Sequence, residues 1–116
     1  MKFMLLIHQG TTPLPGSPEW DQLSGEEQGE VYASYQEVNE FPGVTPGQRM
    51  SAPTEAKTVR VEDGRPILSD GPFAEIREAL GGYLFLEADS PDAAVELAAK
   101  IPAARMGGAV EIRQLA

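Results

Sequence analysis

Hydrophobic and polar positions along this chain alternate with two different periods, and the changes of period mark its elements. Lys2 to His8 reads as a strand apolar on both faces, with Phe3, Leu5 and Ile7 alternating against Met4 and Leu6. Gly10 to Pro18 is too rich in Gly, Thr and Pro for regular structure and reads as a loop. Ser24 followed by Glu27 forms a capping box and predicts a helix to about Glu40, stopped by Pro42-Gly43. Its apolar stripe is Val31, Tyr35 and Val38, with Tyr32 and Phe41 flanking and Gly29 weakening it slightly. A short strand is expected within Val44 to Ser51 and another, clearly alternating, from Thr58 to Glu62. The Asp63-Gly64 turn joins the latter to Pro66-Ile67-Leu68-Ser69 as a hairpin. Phe73 to Leu80 reads as a short helical or irregular piece ending at Gly81-Gly82. Tyr83 to Ala88 is a strand apolar on both faces. Ser90-Pro91-Asp92 then opens a second helix that buries Ala94, Leu97, Ala98 and Ile101 and ends before Pro102. Ala109 to Leu115 closes the chain as a more polar edge strand.

This order predicts one α+β domain over residues 1–116, most simply a ferredoxin-like βαββαβ sandwich with an inserted β-hairpin. Right-handed crossovers put both helices on one face of the sheet. Two strands apolar on both faces then leave the opposite face in need of cover. A second copy of the same sheet is the economical cover and predicts a homodimer; a well-folded loop over that face is the alternative.

Composition narrows the function. The 116 residues are 41% hydrophobic and include no cysteine, which removes disulfides, thiolate metal sites and cysteine nucleophiles. The formal charge is −9. From Ser17 to Glu40 the acidic residues Glu19, Asp21, Glu26, Glu27, Glu30, Glu37 and Glu40 meet no basic one. Such a face repels phosphate backbones and anionic lipid, so neither nucleic acid nor membrane is an expected partner. It serves as a solvated helix face or as a docking surface for a basic partner. The apolar run at Phe3 to Ile7 is only five residues long with no small-residue cleavage site after it, too short for a signal peptide or a membrane span, and a cytoplasmic, soluble protein is expected.

The leading candidate for chemistry is Asp70, at the head of the rigid Asp70-Gly71-Pro72-Phe73 turn, as a general acid or base or as the group that orients a histidine. An Asp before Gly-Pro also commonly caps its own turn. His8 is the sole histidine and ends the first strand on the Met4/Leu6 side, suited to proton transfer or simply exposed there. Arg49, Arg60 and Arg77 are candidates to meet an anionic ligand or to pair with Glu75 and Glu78. Glu75 and Glu78 share a face if their segment is helical, and Phe73 reads as a core plug. No ligand spacing for a metal stands out, and neither Ser51 nor Ser69 sits in a nucleophile elbow. Gly81-Gly82 and Gly107-Gly108 lack the strand–GxGxxG–helix context of nucleotide loops and read as a strand start and a helix exit.

Several segments together resemble the YCII-related family, specifically its DGPF branch. They are Met4-Leu5-Leu6-Ile7, Thr58-Val59-Arg60-Val61, Asp70 to Glu75, Gly81-Gly82-Tyr83, Ile101 to Ala104, and Gly108 to Arg113. The resemblance implies a dimeric α/β barrel of ferredoxin-like halves, and by analogy with the wider family a His8–Asp70 pair in a cleft. The chain departs from the branch pattern at His8, where a tyrosine is usual. Some branch members resemble proteins encoded near extracytoplasmic-function sigma factors, which implies a signalling context. Two functions follow. One is a cofactor-independent enzyme that moves a proton on a small molecule through Asp70 and His8. The other is a non-catalytic dimeric module that senses a ligand or docks a partner.

Overall fold

The computed structural model describes residues 1–71 and 80–116. Pro72 and Phe73 of the acidic turn, with Glu75, Arg77, Glu78 and all but Leu80 of the segment expected to be helical or irregular, lie outside the described residues. The strands are β1 (Lys2–His8), β2 (Val44–Arg49), β3 (Lys57–Glu62), β4 (Arg65–Asp70), β5 (Leu80–Glu87) and β6 (Ala109–Gln114). The helices are α1 (Pro18–Asp21), α2 (Gly25–Glu40) and α3 (Pro91–Lys100).

Four strands form one antiparallel sheet in the order β2-β5-β1-β6, the order of a ferredoxin-like βαββαβ unit. The two strands with apolar residues on both faces, β1 and β5, are its centre, and the more polar β6 is an edge. Phe3, Leu5 and Ile7 of β1 and Leu84 and Leu86 of β5 point toward the helices and are buried with Val38 of α2, Ala94, Leu97 and Ala98 of α3, and Ile101 just past its end. The opposite face carries Met4, Leu6, Tyr83 and Phe85, with Phe85 still 36% exposed. Nothing among the described residues closes it as the helices close the first face.

Local chemistry sets the helix ends. Ser24 Oγ accepts from the Glu27 amide at 3.1 Å while the Glu27 carboxylate accepts from the Ser24 amide at 3.0 Å. These bonds to the ionised form hold the Glu27 carboxyl below its usual range. At the other end of α2, Glu37 pairs with Lys100 of α3 at 2.9 Å, which raises the Lys100 ammonium above its usual range. The acidic face of α2 is thus met by a cation of this chain.

The structure adds α1, inside the acidic run and just past the loop read as ending at Pro18. Ser17 caps it by accepting from the Trp20 amide at 3.2 Å, and Pro18 opens it. The helix buries Trp20, whose ring meets Tyr32 of α2 edge-to-face at 5.4 Å.

Between β2 and β5 in chain order, β3 and β4 form a separate two-stranded sheet. Val59, Val61, Pro66 and Leu68 share one face of it and all are exposed, Val61 at 69%.

Candidate functional site: a cleft beside β5

A cleft of about 290 Å³ opens on the helix side of the sheet, at the start of β5. Its walls are α2 (Val31, Tyr35, Val38, Asn39), the loop after β1 (Gln9, Thr12 to Pro15), the end of β2 (Pro46 to Arg49) and Gly81 to Leu84 of β5. The lining is mainly apolar with a few polar groups, the usual make-up of a small-molecule site.

Two irregularities in the sheet make this space. On one side of β5, Ile7 pairs with Gly82 but His8 pairs with Leu80, so Gly81 is an extra residue in the ladder. On the other side, Pro46 pairs with Leu84 and Arg49 with Gly82, so β2 carries the extra residue. Bulges of this kind bend a strand and redirect its side chains, and they recur next to functional sites. Pro46 is tolerated because β2 is an edge strand. Gly81 has a steric reason as well: a Cβ there would overlap the Gln9 amide, which lies across it.

The loop that supplies Gln9 and Thr12 is pinned. The Thr11 amide donates to the Gly107 carbonyl at 3.1 Å, and the Thr12 amide to the Gln9 carbonyl at 2.9 Å. Gly10 has φ of +54°, and a Cβ on it would overlap the Gly107 carbonyl. Gly107 and Gly108 therefore clamp this loop as well as leaving the turn after α3. That role comes from a contact between segments almost a hundred residues apart, which no local pattern reports.

Two polar atoms of the cleft wall are unusual in being buried and unsatisfied. Thr12 is only 9% exposed, and among the described residues neither its Oγ1 nor Gln9 Oε1 has a hydrogen-bond partner. Buried polar atoms are almost always paired, because an unpaired one costs about 1–3 kcal/mol. Both atoms belong to residues of the cleft wall. Tyr35 completes this part of the wall. Burial pushes its phenol above the ordinary range, while the Arg105 and Arg49 guanidinium groups pull it back.

The whole chain, residues 1–116, matches the YCII-related domain. It belongs to the YCII-related family. It is also similar to an uncharacterized protein of Rhizobium meliloti (strain 1021), 38% identical over 72 residues. That match covers 61% of this chain and 58% of the relative, so the chain spans little more than half the length of the curated protein it matches.

In this YCII-related protein neither His8 nor Asp70 lines the cleft. His8 lies on the Met4/Leu6 side of β1, as its position in the strand implies, and its Nε2 is 3.3 Å from Glu111 Oε1 on β6. Glu111 Oε2 is in turn 3.4 Å from Arg113. Asp70 ends β4 and pairs with Lys57, directly opposite it on β3; its side chain is 83% exposed. Among the described residues, no hydrogen bond or ion pair joins His8 to Asp70.

Of the arginines considered for an anionic ligand, Arg49 lines the cleft, Arg60 lies on the hairpin, and Arg77 is outside the described residues. Gln9, Thr12 and Tyr35 carry no signature of chemistry in the sequence. The one signal for Gln9 and Thr12 is the Gly-Thr-Thr-Pro loop after the first strand, since loops on a rigid sheet often carry function. Among the described residues, no three His, Cys, Asp or Glu side chains gather as metal ligands, and no helix is long and apolar enough to cross a membrane.

Proposed function

We propose that this YCII-related protein binds a small molecule in the cleft beside β5 and works as a homodimer closed over the open sheet face. The observation that carries the first part is the pair of unsatisfied atoms, Thr12 Oγ1 and Gln9 Oε1, in the wall of an apolar cleft. A buried group without a partner is stable only at a cost, and a ligand that supplies the missing partner offsets that cost. A fragment screen on the isotope-labelled full chain tests it by NMR. Binders are expected to shift the amides of Gln9, Thr12, Tyr35 and Gly82. Shifts confined to the surface around His8 and Glu111 would overturn it.

The dimer, and with it an α/β barrel of two ferredoxin-like halves, is supported by Met4, Leu6, Tyr83 and Phe85 on the uncovered face. Sedimentation at micromolar concentration is expected to give twice the chain mass, and Leu6→Asp to halve it. A monomeric wild type would contradict the proposal. A cytoplasmic setting fits a small chain with no cysteine. Membership of the DGPF branch is part of this reading and rests on the sequence Asp70 to Phe73.

A second reading has one observation in its favour. His8 is held by Glu111, and a histidine oriented by a carboxylate is suited to proton transfer. On that reading the protein is a cofactor-independent acid–base enzyme with His8 and Asp70 as catalytic residues, which requires Asp70 to leave Lys57. Loss of turnover in both His8→Asn and Asp70→Asn, with ligand affinity retained, would favour it over a non-catalytic sensing module of the kind implied by sigma-factor neighbours.

A further inference from the structure

The charge around the cleft runs against the charge of the chain. Acidic side chains outnumber basic ones 18 to 9, yet no Asp or Glu is among the described residues of the cleft wall. Arg49 is, and it has no ion pair among the described residues. Arg105, close enough to act on Tyr35, donates to Ser34 Oγ at 2.9 Å and to the Lys100 carbonyl at 3.4 Å, neither of them a carboxylate. In a chain with a twofold excess of carboxylates, two guanidinium groups around one tyrosine have no anion partner among the described residues. A guanidinium is the side chain best shaped for a carboxylate, which it binds through two parallel hydrogen bonds.

The remaining polar atoms restrict the ligand further. Gln9 Oε1 can only accept, so its partner must bring a donor. Thr12 Oγ1 can donate or accept, and it stands on the same loop. Val31, Val38 and Leu84 offer apolar contact, beside the further polar groups of Tyr35, Asn39 and Gln48. A volume of about 290 Å³ is at the low end for small-molecule pockets.

We infer that the ligand class is a small hydroxy acid with an apolar body, its carboxylate at Arg49 and its hydroxyl at Gln9 and Thr12. This inference rests on the cleft being the binding site and adds the chemistry of its occupant. The carboxylate sits at the exposed rim, where the guanidinium keeps its water until the ligand arrives. The hydroxyl meets the loop after β1, where it donates to Gln9 Oε1 and accepts from Thr12 Oγ1. A ligand carrying a cation instead would place it beside Arg49 with no carboxylate to receive it.

The test uses matched pairs on the full-length chain, with affinities from NMR titration: 4-hydroxybenzoate against 4-hydroxybenzamide, and 6-hydroxyhexanoate against 6-hydroxyhexanamide. Benzoate serves as the compound without the hydroxyl. At least one acid is expected to bind in the cleft about tenfold more tightly than its amide, the difference made by one charge-assisted pair. The preference should shrink with added salt and disappear in Arg49→Gln, whose exposed position leaves folding intact, while Arg49→Lys keeps part of it. Wild type should favour 4-hydroxybenzoate over benzoate, and Gln9→Leu or Thr12→Val should erase that difference. If the amides shift the cleft amides as strongly as the acids, the anion inference falls and the binding site stands. If no member of the panel shifts them at millimolar concentration, both fall.

Discussion

The cleft and the acidic turn use polar side chains in opposite ways. At the turn, Asp70 is exposed and already paired with Lys57 across the hairpin, so its charge is answered within the chain. In the cleft wall, Thr12 Oγ1 and Gln9 Oε1 are uncharged, enclosed and, among the described residues, unanswered. The turn is the conspicuous feature of the sequence, and the cleft leaves none of the usual marks of chemistry. The difference teaches that a binding function is better read from polar groups the fold leaves wanting than from charged groups it displays.

The sharpest way to break this contrast is to release the loop that builds the cleft. Gly10→Val puts a β-branched residue at φ of +54° and drives its Cβ into the Gly107 carbonyl. A loss of about 3 kcal/mol is expected, from left-handed strain and the displaced contact together. That corresponds to a fall in Tm of roughly ten degrees, measured by calorimetry. A shift of only a degree or two would show that the loop is not pinned by Gly107.

Thr12→Val sharpens the comparison by having the opposite sign. Valine keeps the shape of threonine and removes the unsatisfied hydroxyl, so the variant should gain about 1 kcal/mol of stability, a few degrees in Tm. Ligand binding should weaken at the same time. A destabilised Thr12→Val would mean that the hydroxyl has a partner in solution. Stability set aside for binding is a common pattern at functional sites.

Tyr35 offers a pH test of how closed the cleft is. Its phenol ionises less readily in the fold than in the unfolded chain, because burial disfavours the phenolate more than Arg105 and Arg49 favour it. A raised value means that the stability contributed by Tyr35 is complete below the ordinary phenol range and is lost as pH rises through the folded value. The phenolate absorbance of wild type minus Tyr35→Phe should therefore rise late, and the variant should resist alkaline unfolding better. Arg49→Gln removes one favourable charge and should delay the ionisation further. An earlier ionisation would mean an open, watered site.

Much of the fold was legible because it rests on local patterns. The period-2 runs at Phe3 to Ile7 and Tyr83 to Leu86, and the helical spacing of Ala94, Leu97, Ala98 and Ile101, each have one face that must be buried, and each is buried on it. The capping box at Ser24 and Glu27 is as local as a signal can be. The short helix at Pro18 was hidden although Ser17-Pro18 is a fair start signal, because the surrounding Gly and Pro residues pointed to a loop. The cleft was illegible for a different reason. Gly47, Gly81 and Gly82 do hint at strand irregularity, since glycine inside a strand often marks a bulge. Which side chain then enters the gap depends on the pairing of β5 with both its neighbours. That is a property of three strands at once, and no single segment encodes it.

Asp70→Asn is expected to have the smallest effect, and for that reason it decides what the turn is for. The Lys57–Asp70 pair is exposed on both sides, where such pairs contribute about 0–1 kcal/mol and are screened by salt. The backbone here is held by other groups: the Gly71 amide donates to the Ala56 carbonyl at 2.7 Å, and Thr58 Oγ1 donates to the Gly71 carbonyl at 2.8 Å. Neither bond uses the Asp70 carboxylate. A drop in Tm of at most a few degrees should therefore follow, vanishing in high salt, with cleft affinity unchanged. A large, salt-independent loss would instead show that the carboxylate caps the turn itself. A small thermal effect accompanied by loss of turnover would return Asp70 to the catalytic role, because a side chain that contributes little to the fold would then be acting on the reaction itself.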